Sequence, residues 1–433
     1  MSGEYPREPV PEGAANRPAK SIAMMVSSAA MGVPIMILGA SIGGDYGAPK
    51  AWLVIAIGCS ITALFSALTA YAGVKSRRST ALLSRQAFGT SGAHLLNFAI
   101  AVALLGWFSV EMGFVGTMAS AGVENVFGVA IGREPGIVVA SLLICVVCIF
   151  GIAMVTRVPL LFLPFLGALL LVVLFLALRM PLPPAVFPLE GKSNGTGISA
   201  IVGGYVVGCL IMPDYTRFIR TSRAAVGATI LSAGGVYALV LSAYALAGLA
   251  TQGVDPSSIL LGLGLPAAIG LVLPIGLMQN GIMCLYSSAL ATSTLVRAFS
   301  FRVIALALTL VGMGLALAGI ESFFVKFLVL LGVVFPPAAA LLIYTGLFAR
   351  LRADADLGEW KWAEIAVWCF GILCGAASEY VGLGLTGFSA FDGFLGAAGA
   401  VAALHLSRSK QRGAVKNRFG IRETVGEDLC EHE

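Results

Sequence analysis

The sequence predicts an all-α polytopic membrane protein of about twelve transmembrane helices. Three observations lead there. Hydrophobic residues make up 58% of the chain and charged residues only 11%, too few polar side chains to cover a water-soluble domain. Apolar stretches near the roughly 20 residues that a helix needs to cross hydrocarbon follow one another along the whole chain. Lys and Arg gather in alternate connections between these stretches, the asymmetry that sets membrane orientation.

Taken in order, residues 1–20 are polar and rich in Pro, Glu and Gly, without the basic-then-apolar pattern of a signal peptide, and read as a disordered cytoplasmic tail. The helices are expected over 21–42, 51–75, 92–120, 136–156 and 158–179, then 196–213, 224–251, 264–293, 301–319 and 322–349, and finally 361–381 and 386–406. Residues 407–433 form a second charged tail. With the N-terminus inside, Arg17, Lys20, Lys75, Arg77, Arg78, Arg85, Arg157, Arg217, Arg220, Arg223, Arg297, Arg302, Arg350, Arg352 and Lys361 all fall on the cytoplasmic side. Only Lys50, Arg133, Arg179, Lys192 and Lys326 fall outside, so both termini are expected in the cytoplasm of a cell whose cytoplasmic membrane holds the chain. The net charge of +5 reflects this retention and implies no nucleic acid partner; the expected surroundings are the lipid bilayer.

Two helices carry signs of interruption. The first contains Gly32-Val33-Pro34, and proline removes a helix hydrogen bond while clashing with the preceding turn. The sixth contains Gly203-Gly204 and Gly208 before Pro213. If helices one to five and six to ten are two repeats, these breaks occupy matching positions, the pattern that points to a transporter's substrate site. Backbone unwound at that depth is tolerated only where it lines a cavity. Glycines in membrane helices also serve close packing, and that reading stands beside the first.

The third helix holds the anomaly of the chain. Glu111 sits in the apolar run Ala101 to Gly113, where a carboxylate costs about 2.5 to 3.5 kcal/mol on insertion scales and normally faces a protein interior or a wet cavity. Trp107, four residues earlier, shares its helix face. An indole and a carboxylate on one face can stack a flat ring and accept hydrogen bonds from its edge; packing between helices is the alternative.

Seven of the eight cysteines fall within apolar segments, so no disulfide framework is implied. Cys145 and Cys148 read as small packing residues rather than a redox or metal pair. His94, His405 and His432 are scattered, and no metal site, cofactor or catalytic constellation is expected, which leaves a carrier or channel rather than an enzyme. Asp214-Tyr215-Thr216-Arg217 closes helix six, where Asp214 and the arginines can serve as gating ion pairs or as interfacial anchors.

Several stretches together resemble the nucleobase:cation symporter-1 family, in its cytosine permease (purine/cytosine permease) branch. They are Tyr71-Ala72-Gly73-Val74-Lys75, Thr80-Ala81-Leu82-Leu83-Ser84-Arg85 with Phe88-Gly89, Gly106-Trp107-Phe108, Asp214-Tyr215-Thr216-Arg217-Phe218, and Pro336-Pro337. The resemblance implies a LeuT-type fold with a 5+5 inverted repeat, here 21–179 and 196–349, plus two extra helices over 361–406. It implies secondary active import of a nucleobase by symport with H⁺ or Na⁺ through alternating access. It further implies that the cargo ring lies between Trp107 and Tyr205, with backbone of Gly203 and Gly204 at its edge and Glu111 where relatives often have glutamine. The helix-one break, Gly32 to Ile35, would supply carbonyls to the ion. Gly276, Gln279 and Asn280 fall where sodium-coupled relatives offer small hydroxyl residues, so the coupling ion stays open between H⁺, carried by Glu111, and Na⁺. A carboxylate at the ring edge favours an amino-bearing base. A thiamine-precursor pyrimidine such as hydroxymethylpyrimidine, or an amino-acid-type carrier on the same fold, is the alternative. The oligomeric state is not legible.

Overall fold

The structure is a computed structural model that describes residues 8–150, 152–182, 193–266, 269–296, 298–349, 351 and 357–418. All of its regular elements in these residues are helical, as the apolar composition requires of a chain whose backbone must satisfy itself within lipid. The chain begins with α1 (Ala19–Ala29), α2 (Val33–Tyr46), α3 (Ala48–Ser76), α4 (Thr80–Phe88), α5 (Ala93–Phe127), α6 (Glu134–Ile149) and α7 (Ile152–Ala177). There follow α8 (Asn194–Leu210), α9 (Met212–Thr216), α10 (Ser222–Thr229), which a π-turn over Ile230–Val236 joins to α11 (Tyr237–Thr251), and α12 (Pro256–Gly262). The chain continues with α13 (Ile269–Leu295), α14 (Phe301–Leu317), α15 (Phe324–Leu347), α16 (Trp362–Ala376) and α17 (Ser389–Arg418).

Among the described residues, seven helices are long and apolar enough to cross a membrane, and the bent pair of α1 and α2 makes an eighth span. Three shorter apolar helices, Glu134–Ile149, Leu161–Ala177 and Phe301–Leu317, accompany them. The chain is therefore a polytopic all-α protein with one continuous apolar core running through α2, α5, α8, α11, α13 and α15.

Close helix crossings are built on glycine. A Cβ on Gly43 of α2 would collide with the Ala245 carbonyl of α11, and one on Gly203 of α8 would collide with the Leu328 carbonyl of α15. Without a hydrophobic force between helices in lipid, such contacts let backbones approach and gain dispersion energy. This corrects one expectation. Helix six is not unwound at Gly203-Gly204: α8 runs unbroken through both, and the interruption comes at Ile211, ahead of Pro213 in the first turn of α9. The glycines answer to the neighbouring helix, whereas the proline answers to its own backbone.

The end of the molecule that carries most basic residues is tied together by backbone. Arg77 terminates α3 in the left-handed region at φ 56°. Its guanidinium donates to the carbonyls of Arg217, Ile219 and Arg220, which follow α9. Asp214 Oδ1 accepts the N–H of Thr80 at 2.8 Å, adding to the Ser79 cap of α4. Gly89, at φ 89°, leaves room for the carbonyls of Gly358 and Glu359, to which the N–H groups of Thr90 and Ser91 then donate.

Both expected tails contain order. Val10 donates its N–H to Arg77 O at 2.9 Å and Arg17 to Phe218 O at 3.0 Å, while Val10 and Ala15 cover Phe218. Composition hides this, because two apolar side chains suffice to dock a polar strap. At the other terminus α17 extends to Arg418, beyond the expected end at 406, and Arg408 pairs with Glu364 of α16 at 2.6 Å.

Candidate functional site

The site begins at the break in the first helix. Gly32 adopts an extended conformation (φ −71°, ψ 156°) and Pro34 occupies the first turn of α2, where a missing N–H costs nothing. The two halves meet at 58°. Two carbonyls at the end of α1 face neighbours across the break. Val26 O accepts the Tyr205 hydroxyl at 2.8 Å and Ser28 O accepts Gln279 Nε2 at 2.9 Å. The Gly32 carbonyl, expected to serve the ion, takes the N–H groups of Ile35 and Met36 here.

Beside the break lies a cavity of about 80 Å³, partly open to solvent. Trp107 of α5, Gly204 and Tyr205 of α8, Ile35 of α2 and Asn280 of α13 line it. Five expected residues thus share one cavity. Gly203 does not: it faces α15. Gly204 is helical like its neighbours, and a Cβ there would press on the Tyr237 hydroxyl, 2.6 Å away. Gly276 lies on α13, but its surroundings are outside the described residues.

Glu111 is fully buried and stands behind the cavity wall. Its Oε2 accepts Asn280 Nδ2 at 2.9 Å, while Oε1 has no hydrogen-bond partner and points toward Gly32, where an added Cβ would lie 3.4 Å from it. In this conformation Asn280, not Glu111, presents polar atoms to the cavity. Glu111, expected at the ring edge, is joined to the cavity here through the Asn280 amide that it binds. Gln279 Oε1 is likewise buried without a partner. Two buried acceptors without partners, on Glu111 and Gln279, thus lie next to the helix-one break.

The two ends of the cavity differ. Toward the basic end it continues between Met212 and Tyr215 of α9 and Ser287 of α13, with Tyr215 facing Ser287. At the opposite end Phe324 and Phe327 stand edge-on to Trp107, centroids 6.0 and 5.8 Å away. An ion pair between Arg133 and Glu321 fastens the turn that carries Phe324. Tyr205 itself leans on Tyr237 at 5.0 Å. Sequence reasoning missed Met212 and Ser287 as lining of this cavity and Phe324 as the ring behind Trp107, since nothing in their local pattern separates them from core. Tyr215 lay within a noted motif, without a role in the cavity.

Comparison with known proteins places these features in context. The family described as permease for cytosine/purines, uracil, thiamine and allantoin matches residues 9–388. The cytosine permeases of Escherichia coli K12 and O157:H7 are each 24% identical over 340 residues, 75% of this chain and 77% of those proteins. Among solved structures, Mhp1, a nucleobase-cation-symport-1 family transporter, superposes in a closed conformation with bromovinylhydantoin bound. There the TM-score is 0.74 at 17% identity, over 94% of this chain and 96% of that one. Its inward-facing conformation gives a TM-score of 0.76 at 15% identity, over 96% and 97%. A Na⁺-coupled sialic acid symporter in an outward-open state gives 0.61 at 11% identity, over 90% and 89%.

Proposed function

From the membership of this chain in the family of permeases for cytosine/purines, uracil, thiamine and allantoin, of the nucleobase:cation symporter-1 type, we propose that it imports a nucleobase or related aminopyrimidine by symport with a cation. The observation that carries the reading is the pairing of Trp107 and Tyr205 on one cavity beside the helix-one break. Flat aromatic walls hold a flat heterocycle through stacking and apolar contact, and a few polar groups fix its orientation. The amino-acid-type alternative gains no support from the family match, whose relatives are permeases rather than enzymes. Hydroxymethylpyrimidine falls within the same aminopyrimidine chemistry.

In this reading about twelve spans form a five-plus-five inverted repeat over 21–179 and 196–349, with two further helices to 406 and both termini in the cytoplasm. The cavity is then open toward the cytoplasm through Met212, Tyr215 and Ser287, and closed outside by Phe324 packed on Trp107 and the Arg133–Glu321 pair. Alternating access would exchange these two closures around a fixed centre. For the coupling ion, H⁺ is favoured over Na⁺ by the buried, unpartnered Oε1 of Glu111, an acceptor that a proton satisfies without further ligands; Gln279 and Asn280 stand beside it as polar support.

The test is uptake into proteoliposomes of a radiolabelled panel of cytosine, adenine, uracil and leucine, with Na⁺ and pH gradients imposed independently. Saturable cytosine or adenine uptake driven by a pH gradient is expected. Leucine uptake without base uptake would overturn the substrate class, and a strict need for a Na⁺ gradient would overturn the ion.

A further inference from the structure

Asn280 is the cavity residue whose chemistry is set from behind. Its Nδ2 donates to Glu111 Oε2 at 2.9 Å across α5 and α13, and Glu111 is wholly buried. The two ends of an amide are told apart by their partners. Oε2 is the acceptor here, and a proton taken up by the carboxyl goes to the unpaired Oε1, so in either state the NH₂ end of Asn280 faces Oε2. The carbonyl end is turned away, and no hydrogen bond to Oδ1 exists among the described residues. Asn280 lines the cavity whereas Glu111 does not.

Resting on the nucleobase reading above, we infer that Glu111 locks the Asn280 amide so that its carbonyl oxygen faces the cargo, making Asn280 the residue that selects amino-bearing over oxo-bearing bases. An exocyclic amino group donates to that oxygen. A ring carbonyl in the same place sets two acceptors against each other in a site with little water, and each is left unpaired. Glu111 is then a positioning residue: it touches the cargo only through the orientation it imposes. The selectivity comes from geometry fixed before the cargo arrives, so it needs no rearrangement on binding. Two matched pairs probe it. Cytosine and uracil differ by an amino for an oxo group, with the accompanying ring proton, and adenine and hypoxanthine differ in the same way on a bicyclic frame.

The experiment is isothermal titration of the purified full-length protein with these four bases, for the wild type and Glu111→Gln. The wild type should favour the amino member of a pair by about tenfold or more. In Glu111→Gln the new amide can offer Asn280 either an acceptor or a donor, so Asn280 is free to turn and the preference should collapse to within about threefold. The readout is the ratio within a pair, which a merely structural loss of binding would leave unmoved. If Glu111→Gln does not fold, Asn280→Thr removes the oriented amide and must lose the same preference. A wild type that does not favour the amino member, or a variant that keeps the wild-type ratio, overturns the inference alone. Heat from none of the four bases removes the nucleobase reading and this inference with it.

Discussion

Asn280 and Glu111 meet by a single hydrogen bond of 2.9 Å between residues 169 positions apart. That bond joins the two halves of the chain at the cavity wall and leaves one carboxylate oxygen unpaired beside the helix-one break. An unpaired buried acceptor is costly to hold, and this cost is the ground on which we propose Glu111 as the proton carrier.

The first prediction concerns that oxygen. If Glu111 carries the coupling proton, cytosine uptake by the wild type rises as external pH is lowered, since the outward-facing carboxyl must be loaded before the cargo moves. Glu111→Gln cannot gain or lose a proton, so its uptake should be flat with pH between 5.5 and 8. Initial rates in proteoliposomes measure both.

Tyr205 separates ring from hydroxyl. Tyr205→Phe keeps the aromatic wall but deletes the bond to Val26 O, a loss of about 0.5 to 1.5 kcal/mol. Thermal melting in detergent should fall by a few degrees while the affinity for cytosine stays within about threefold, because stacking is retained. A large loss of affinity with no change in melting would assign the hydroxyl to the cargo instead.

Gly203 tests packing against binding. Even a methyl group there collides with the Leu328 carbonyl of α15, and overpacking of this kind costs about 1 to 3 kcal/mol. Gly203→Ala should lower the melting temperature without altering the ratio of affinities among bases.

At the basic end, Phe218→Ala removes the side chain on which Val10 and Ala15 rest and over which the Arg17 guanidinium lies at 4.8 Å. Limited proteolysis should then cut within residues 8–17 several times faster than in the wild type, with the transmembrane body left intact.

Local chemistry is what the sequence made readable. Gly32 and Pro34 break a helix by their own backbone properties, so the interruption of α1 and α2 stood out in advance. Glu111 stood out because a carboxylate in so apolar a run is expensive. What remained hidden depends on a distant partner. Glycine in a helix signals either unwinding or close approach, and only α15 shows that Gly203 serves the second. The Ile211 break was masked by the more conspicuous glycine pair upstream. The helix face of Glu111 is local information, whereas its bond to the Asn280 side chain comes from α13. The docked strap of residues 8–17 looked disordered because its stability comes from Arg77 and Phe218, far along the chain.

The most direct test of the ring-binding cavity is titration of cytosine into wild-type protein and Trp107→Ala. Loss of a stacking wall should weaken binding by about 1 to 3 kcal/mol, roughly 5- to 150-fold. An unchanged dissociation constant in Trp107→Ala, with the protein still folded, would contradict the account.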